Sequence, residues 1–184
     1  MQAIVDACDT HQIDATIVLV ISNNSGSGAL ARAAEHGIPG LHLSSATHPD
    51  PTALDAAMAA ALEHAQADWI LLAGYMKKLG PETLVRFQGR ILNTHPALLP
   101  KYGGRGFFGR RVHQAVLDAG ERESGATVHL VDAEYDSGPI LAQVRVPVRQ
   151  GDSVEMLEDR VKNAERKLII EALRTLTAPK TAAG

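Results

Sequence analysis

Apolar residues recur along this chain at two periods, and the two alternate almost from end to end. Met1, Ile4, Val5 and Cys8 stand at helical intervals and predict an amphipathic helix over residues 1–12. Residues 16–21 are a continuous run of β-branched and aliphatic side chains, the pattern of a strand buried on both faces of a parallel sheet. A polar loop at 23–28 leads into a short helix at 29–36, closed by Gly37. A short strand at 41–43, a turn at 48–51 and an alanine-rich helix at 52–66 follow, with Pro51 in a favoured first-turn position. Residues 69–73 read as a second buried strand, 74–76 as its exit loop and 81–87 as a short helix; the next strand ends at Asn93. Beyond a glycine-rich loop the pattern predicts a helix at 110–119, stopped by Gly120, and strands at 127–131 and 140–148 around a turn at 132–138. Ser153 caps a long final helix, with Glu155 and Met156 in its first turn.

This alternation predicts an α/β fold with a mostly parallel, doubly wound sheet. Residues 1–178 form one domain and 179–184 a disordered tail, with no internal repeat and no linker. Such folds usually open on a strand, whereas this chain opens on a helix.

Composition narrows the function classes. A net charge of −3 over 184 residues argues against nucleic acid or an anionic membrane as the main partner. The single cysteine, Cys8, excludes an intrachain disulfide and fits a reducing, cytoplasmic setting. No apolar run is long enough to span a bilayer. There are eight histidines but no H-x-x-x-H on one helix and no Cys/His cluster, so no metal site is expected.

The chemistry concentrates where the strand ending at Asn93 gives way to Thr94, His95 and Pro96. Proline has no N–H for a ladder and ends the strand. Asn93 and His95, two residues apart, project from one face of it. In an open α/β sheet that carboxyl edge is where ligands bind. Two further loops follow strands, one from Gly74 to Lys78 and one from Asp132 to Pro139. If the three share an edge, an amide, an imidazole and the Asp136 carboxylate converge, a set suited to acyl transfer to an amine. Asn93 and a protonated His95 would donate to the developing oxyanion, and Asp136 would orient the imidazole or take a proton. Asp136-Ser137-Gly138-Pro139 is also an ordinary turn sequence, so on residue types alone a purely structural Asp136 stands beside the catalytic one. Gly26-Ser27-Gly28 before a helix is read as a plain loop, and no G-x-S-x-G nucleophile elbow occurs.

Asn93-Thr94-His95-Pro96-Ala97-Leu98-Leu99-Pro100 resembles the N-[IT]-H-P-[SA]-L-L-P segment of the folate-dependent formyltransferases. Leu72-Ala73-Gly74-Tyr75-Met76, Gly103-Gly104-Arg105-Gly106, Val112-His113-Gln114-Ala115-Val116 and the stretch from Gly125 to Ile140 extend the likeness, in order, over essentially the whole chain. The resemblance implies transfer of a formyl group from 10-formyltetrahydrofolate, as co-substrate, to the amine of glycinamide ribonucleotide in purine biosynthesis. Asn93, His95 and Asp136 fall on the family's catalytic positions. Tyr75, Met76, Lys77, Lys78 and Leu79, with His129, Val131 and Asp132, fall on its folate pocket, where main-chain groups hold the pterin. Lys162 and Glu165 fall on positions that contact the ribonucleotide, although alone they also read as an exposed charge pair. The implied partners are these small molecules, with no nucleic acid, no membrane and a monomer or homodimer.

Two departures accompany the likeness. Family members open with a strand and a glycine-rich phosphate loop, and this sequence begins at the helix that follows them. The absent strand would lie between residues 16–21 and 69–73, leaving both without a neighbour. Arg166 stands where the family usually has His. Two other readings follow: a truncated domain that binds folate with little or no transfer activity, and a sibling formyltransferase or formyltetrahydrofolate hydrolase.

Overall fold

Three helices start where polar side chains take up the free N–H groups of a first turn. Ser27 accepts from the Leu30 amide, Asp50 from Thr52 and Ser153 from Met156. Pro51 and Pro81 open their helices at positions that need no N–H. In the computed structural model, which describes residues 1–178, the order is α1 (Gln2–Asp9), β1 (Val20–Ser22), α2 (Gly28–Glu35), β2 (Gly40–His42), α3 (Pro51–His64), β3 (Ile70–Leu72), α4 (Pro81–Arg86), β4 (Ile91–His95), α5 (Arg110–Asp118), β5 (Glu123–Leu130), β6 (Ile140–Pro147) and α6 (Val154–Thr177). The tail expected at 179–184 lies outside the described residues.

The α/β class is as expected, but the ladders are mixed. β1 pairs with β2 and β3 with β4 in parallel, while β4–β5 and β5–β6 are antiparallel. The connection from β5 to β6 is too short for a crossover and folds straight back, which only antiparallel strands permit. β5 also starts at Glu123, earlier than the alternating residues near its end suggest.

The run at 16–21 departs most from expectation. Only Val20–Ser22 enters a ladder, and Val18 is 38% exposed, because hydrophobicity makes a strand only where a partner supplies hydrogen bonds. The strands form two sheets, β1–β2 and β3–β4–β5–β6, with no ladder joining β1 to β3 among the described residues. A groove of about 610 Å³ separates them, lined by Ile17, Val18 and Leu19 on one side and by Ile70 and Leu71 on the other.

β4 is the spine of the larger sheet. Its successive side chains point to opposite faces. Ile91 joins a cluster with Met58, Leu62, Leu79 and Phe87, and Leu92 joins one with Val128, Val146, Leu157 and Val161 beneath α6. The same alternation continues through Asn93, Thr94 and His95.

On the Ile91 side, the buried Asp55 of α3 caps α4 from outside that helix. Its carboxylate accepts from the Glu82 amide at 2.7 Å, the Thr83 amide at 3.1 Å and the Thr83 hydroxyl at 2.6 Å. Gly80 permits this approach, since a Cβ there would lie 2.1 Å from Asp55 Cγ. Asp55→Ala leaves the Glu82 and Thr83 amides without their acceptor and the Thr83 hydroxyl with only the longer bond to the residue-55 carbonyl. It is expected to lower stability by about 2–4 kcal/mol in urea melts, with Asp55→Asn losing less because one oxygen remains. Equal losses for the two would show that the cap is not what Asp55 contributes.

Candidate active site

Asn93 and His95 leave the same face of β4, as their spacing requires, and Asp136 reaches them from the turn after β5. Asn93 Nδ2 lies 3.5 Å from Asp136 Oδ1, and His95 Nδ1 lies 3.4 Å from Asp136 Oδ2. All three predicted residues therefore meet. Thr94, between them, points the other way and donates to Glu165 of α6 at 2.5 Å.

His95 is 3% exposed, and its Nε2 lies 2.6 Å from the Tyr102 carbonyl. A carbonyl only accepts, so Nε2 carries a proton and Nδ1 faces the carboxylate. Tyr102 has φ 57°, the left-handed backbone that turns its carbonyl back toward β4. Burial is the main influence on the imidazole and lowers its pKa. Asp136 and the Tyr102 carbonyl pull upward but do not restore the usual value. The protonated His95 expected from residue types thus meets a desolvation larger than the upward pull of Asp136.

Asp136 is itself at φ 54°. Its Oδ2 accepts from the Gly104 amide at 2.9 Å. Burial works to raise its pKa, but His129 and His95, in the states that carry a proton toward it, and the Gly104 N–H outweigh that effect, and the carboxyl is held below its ordinary value. The turn that carries it closes on β5 at Gly138, where a Cβ would lie 1.9 Å from the Leu130 carbonyl oxygen, so only glycine fits.

The residues expected around folate divide. Tyr75 is half-buried, Met76 and Lys77 are exposed, and Lys78 pairs with Glu134 at 3.4 Å and stacks over Tyr135, which draws the loop after β3 to the turn after β5. Leu79 is turned into the core beside Phe87, so its side chain serves packing. Asp132 uses its carboxylate within its own turn, accepting from the Glu134 amide and the Ser137 hydroxyl. Val131 donates its amide to the Ile91 carbonyl. His129 is buried against Asn93, with Nε2 at 3.2 Å from Nδ2. Lys162 and Glu165 do not pair with each other. Lys162 binds Glu158 one turn back, and Glu165 holds Thr94 beside the His95 strand. Arg166 is exposed and donates to Asn163.

The Tyr102 carbonyl and the Gly104 amide were not legible as site groups. Every residue carries such groups, and only the density of glycine at 103–109 marks backbone that must bend sharply.

A profile described as formyl transferase matches residues 1–173. The chain is 40% identical over 169 residues to the chloroplastic phosphoribosylglycinamide formyltransferase of Arabidopsis thaliana, covering 91% of this chain and 58% of that protein. It is 39% identical over 168 residues to the phosphoribosylglycinamide formyltransferase of Haemophilus influenzae, covering 91% and 77%. Its fold matches the crystal structure of glycinamide ribonucleotide transformylase 1 from Symbiobacterium toebii with a TM-score of 0.89 and 39% identity, over 96% of this chain and 81% of that one. Among the described residues no helix is long and apolar enough to cross a membrane.

His95 and His113 have pKa values lowered mainly by burial. The unfolded chain then binds more protons than the folded one just below the ordinary value of 6.5. Stability contributed by the neutral rings is complete above that value and is lost as pH falls through the lowered ones. Thermal melts should show this loss, and His113→Leu, which removes one titrating group, should flatten the slope by up to about 1.4 kcal/mol per pH unit. An unchanged slope would exclude His113 as a source of acid sensitivity.

Proposed function

Because the chain belongs to the formyl transferase family, we propose that it transfers the formyl group of 10-formyltetrahydrofolate to the amine of glycinamide ribonucleotide. The observation that carries this reading is the meeting of Asn93, His95 and Asp136 at one strand end, with the loops after β3 and β5 closed on each other by Lys78 and Glu134.

The attacking amine forms a bond to the formyl carbon, and the carbonyl π pair moves onto oxygen. Asn93 Nδ2–H donates to that oxyanion. The His95 proton on Nε2 is committed to the Tyr102 carbonyl, so Nδ1 is the nitrogen that works. Burial keeps Nδ1 unprotonated at rest. A proton leaving the attacking nitrogen settles there as negative charge grows alongside, with Asp136, ionised and 3.4 Å away, balancing the imidazolium. Passing the proton to N10 of the folate breaks the C–N bond and releases tetrahydrofolate with the formylated amine. Main-chain groups of residues 75–79 and 129–132 hold the pterin, and Lys162 and Glu165 meet the ribonucleotide. The partners are small molecules, and a cytoplasmic monomer or homodimer suits this role.

Formyl transfer, followed by folate absorbance with and without glycinamide ribonucleotide, tests the reading. Turnover that needs no amine would instead identify a hydrolase. His95→Ala should reduce transfer by about 10²–10⁴-fold, the usual cost of losing a general acid–base group. Calorimetry should find folate-analogue binding nearly intact. Equal loss of binding and turnover would remove His95 from the chemistry.

A further inference from the structure

We infer that His129 is a positioning residue that fixes which way the Asn93 carboxamide faces, an inference that rests on the formyl-transfer reading. Asn93 and His129 are direct partners in the β4–β5 ladder, and a register irregularity falls at Val128/His129, where the ring is presented. The His129 side chain is 3% exposed. Its Nδ1 lies 2.9 Å from the Leu130 carbonyl, which only accepts, so Nδ1 carries the ring proton. With one proton on the ring, Nε2 is a bare lone pair. The group nearest to it is Asn93 Nδ2 at 3.2 Å, and Asp136 Oδ1 is farther, at 3.5 Å.

That arrangement admits one orientation of the amide. With the NH2 edge inward, one N–H donates toward Nε2 and Asp136 Oδ1, both acceptors, and the other is free for an oxyanion. Turned over, the amide would set Oδ1 against a lone pair and a carboxylate whose side chains are only 3% and 10% exposed, where little water relieves the repulsion. A second proton, on Nε2, would reverse the preference by pairing the ring with Asp136 and opposing the NH2 group. His129 thus acts through Asn93. Both its nitrogens are occupied within the protein, so neither is left for the folate contact that its position in the motif suggests.

The test compares His129→Leu, which removes the acceptor, with His129→Gln, whose Oε1 sits near the place of Nε2 and still accepts. His129→Leu should lower kcat by about 10²-fold, with the Kd of a folate analogue changed by less than about threefold, and His129→Gln should recover most of the loss. A rise in folate Kd with kcat unchanged would make His129 a ligand contact and overturn the inference. Equal loss in both variants would reduce it to a matter of shape, with the same consequence. Nitrogen-15 NMR of histidine-labelled wild-type protein supplies a readout that needs no turnover. It should show His129 Nδ1 protonated and Nε2 bare, and the Asn93 side-chain NH2 signal should survive in His129→Gln and shift in His129→Leu. A proton on Nε2 would overturn the inference. If the wild-type protein transfers no formyl group but shows the expected ring state, the reading of the reaction fails while the positioning of Asn93 stands. If His129→Leu does not fold, His129→Gln and the ring state decide.

Discussion

The antiparallel register of β4 on β5 places Asn93 opposite His129 and His95 opposite Thr127, and every distance in the site follows from it. A slip by one residue would send Asn93 and His95 toward α6 and bring Thr94 into the cleft. Two features hold the register. Ile91 and Leu92 are anchored in separate apolar clusters on the two faces. Beyond the strand, the fully buried Thr127 hydroxyl donates to the Ala97 carbonyl at 2.7 Å and accepts from the Leu99 amide at 3.1 Å. Gln143 of β6 adds donors to the same hydroxyl and to the Leu99 carbonyl. The loop after β4 is therefore stapled to β5 and β6, and Tyr102 is delivered to His95 as a consequence.

The two imidazoles are handled alike. His95 gives a proton to the Tyr102 carbonyl and His129 one to the Leu130 carbonyl, and each leaves its other nitrogen toward Asp136. Main-chain carbonyls cannot change protonation state, so they fix the tautomers whatever happens in the cleft. Asp136 is held low by its surroundings despite burial, which keeps one negative charge between two rings. Desolvation and that charge oppose each other at His95, and a developing oxyanion is the kind of change that tips such a balance.

The split sheet separates stability from chemistry. Asn93, His95, His129 and Asp136 all belong to the four-stranded sheet and its turn, packed under α6, while β1 and β2 lie across the groove. The geometry of this polar cluster is accordingly set within the four-stranded sheet and its turn. Among the described residues β1 and β3 share no ladder across that groove.

The α/β class, the cap at Ser153, the shared face of Asn93 and His95 and the chemistry open to them could all be read from residue order, because each depends on neighbours within a few positions. Asp136 could be proposed from its motif, and only the folded turn shows that its carboxylate reaches Asn93 and His95. What only the tertiary structure decided depends on partners distant in sequence. The run at 16–21 looked like a buried strand and became mostly unpaired backbone, since a ladder needs a neighbour that periodicity does not reveal. His129 and Leu79 fall on a ligand-pocket motif, and only the packed molecule shows the His129 ring against Asn93 and the Leu79 side chain in the core. The Tyr102 carbonyl has no side-chain signature at all. Chain order specifies which groups are present and how they alternate along an element, but desolvation and hydrogen-bond partnership belong to the packed molecule.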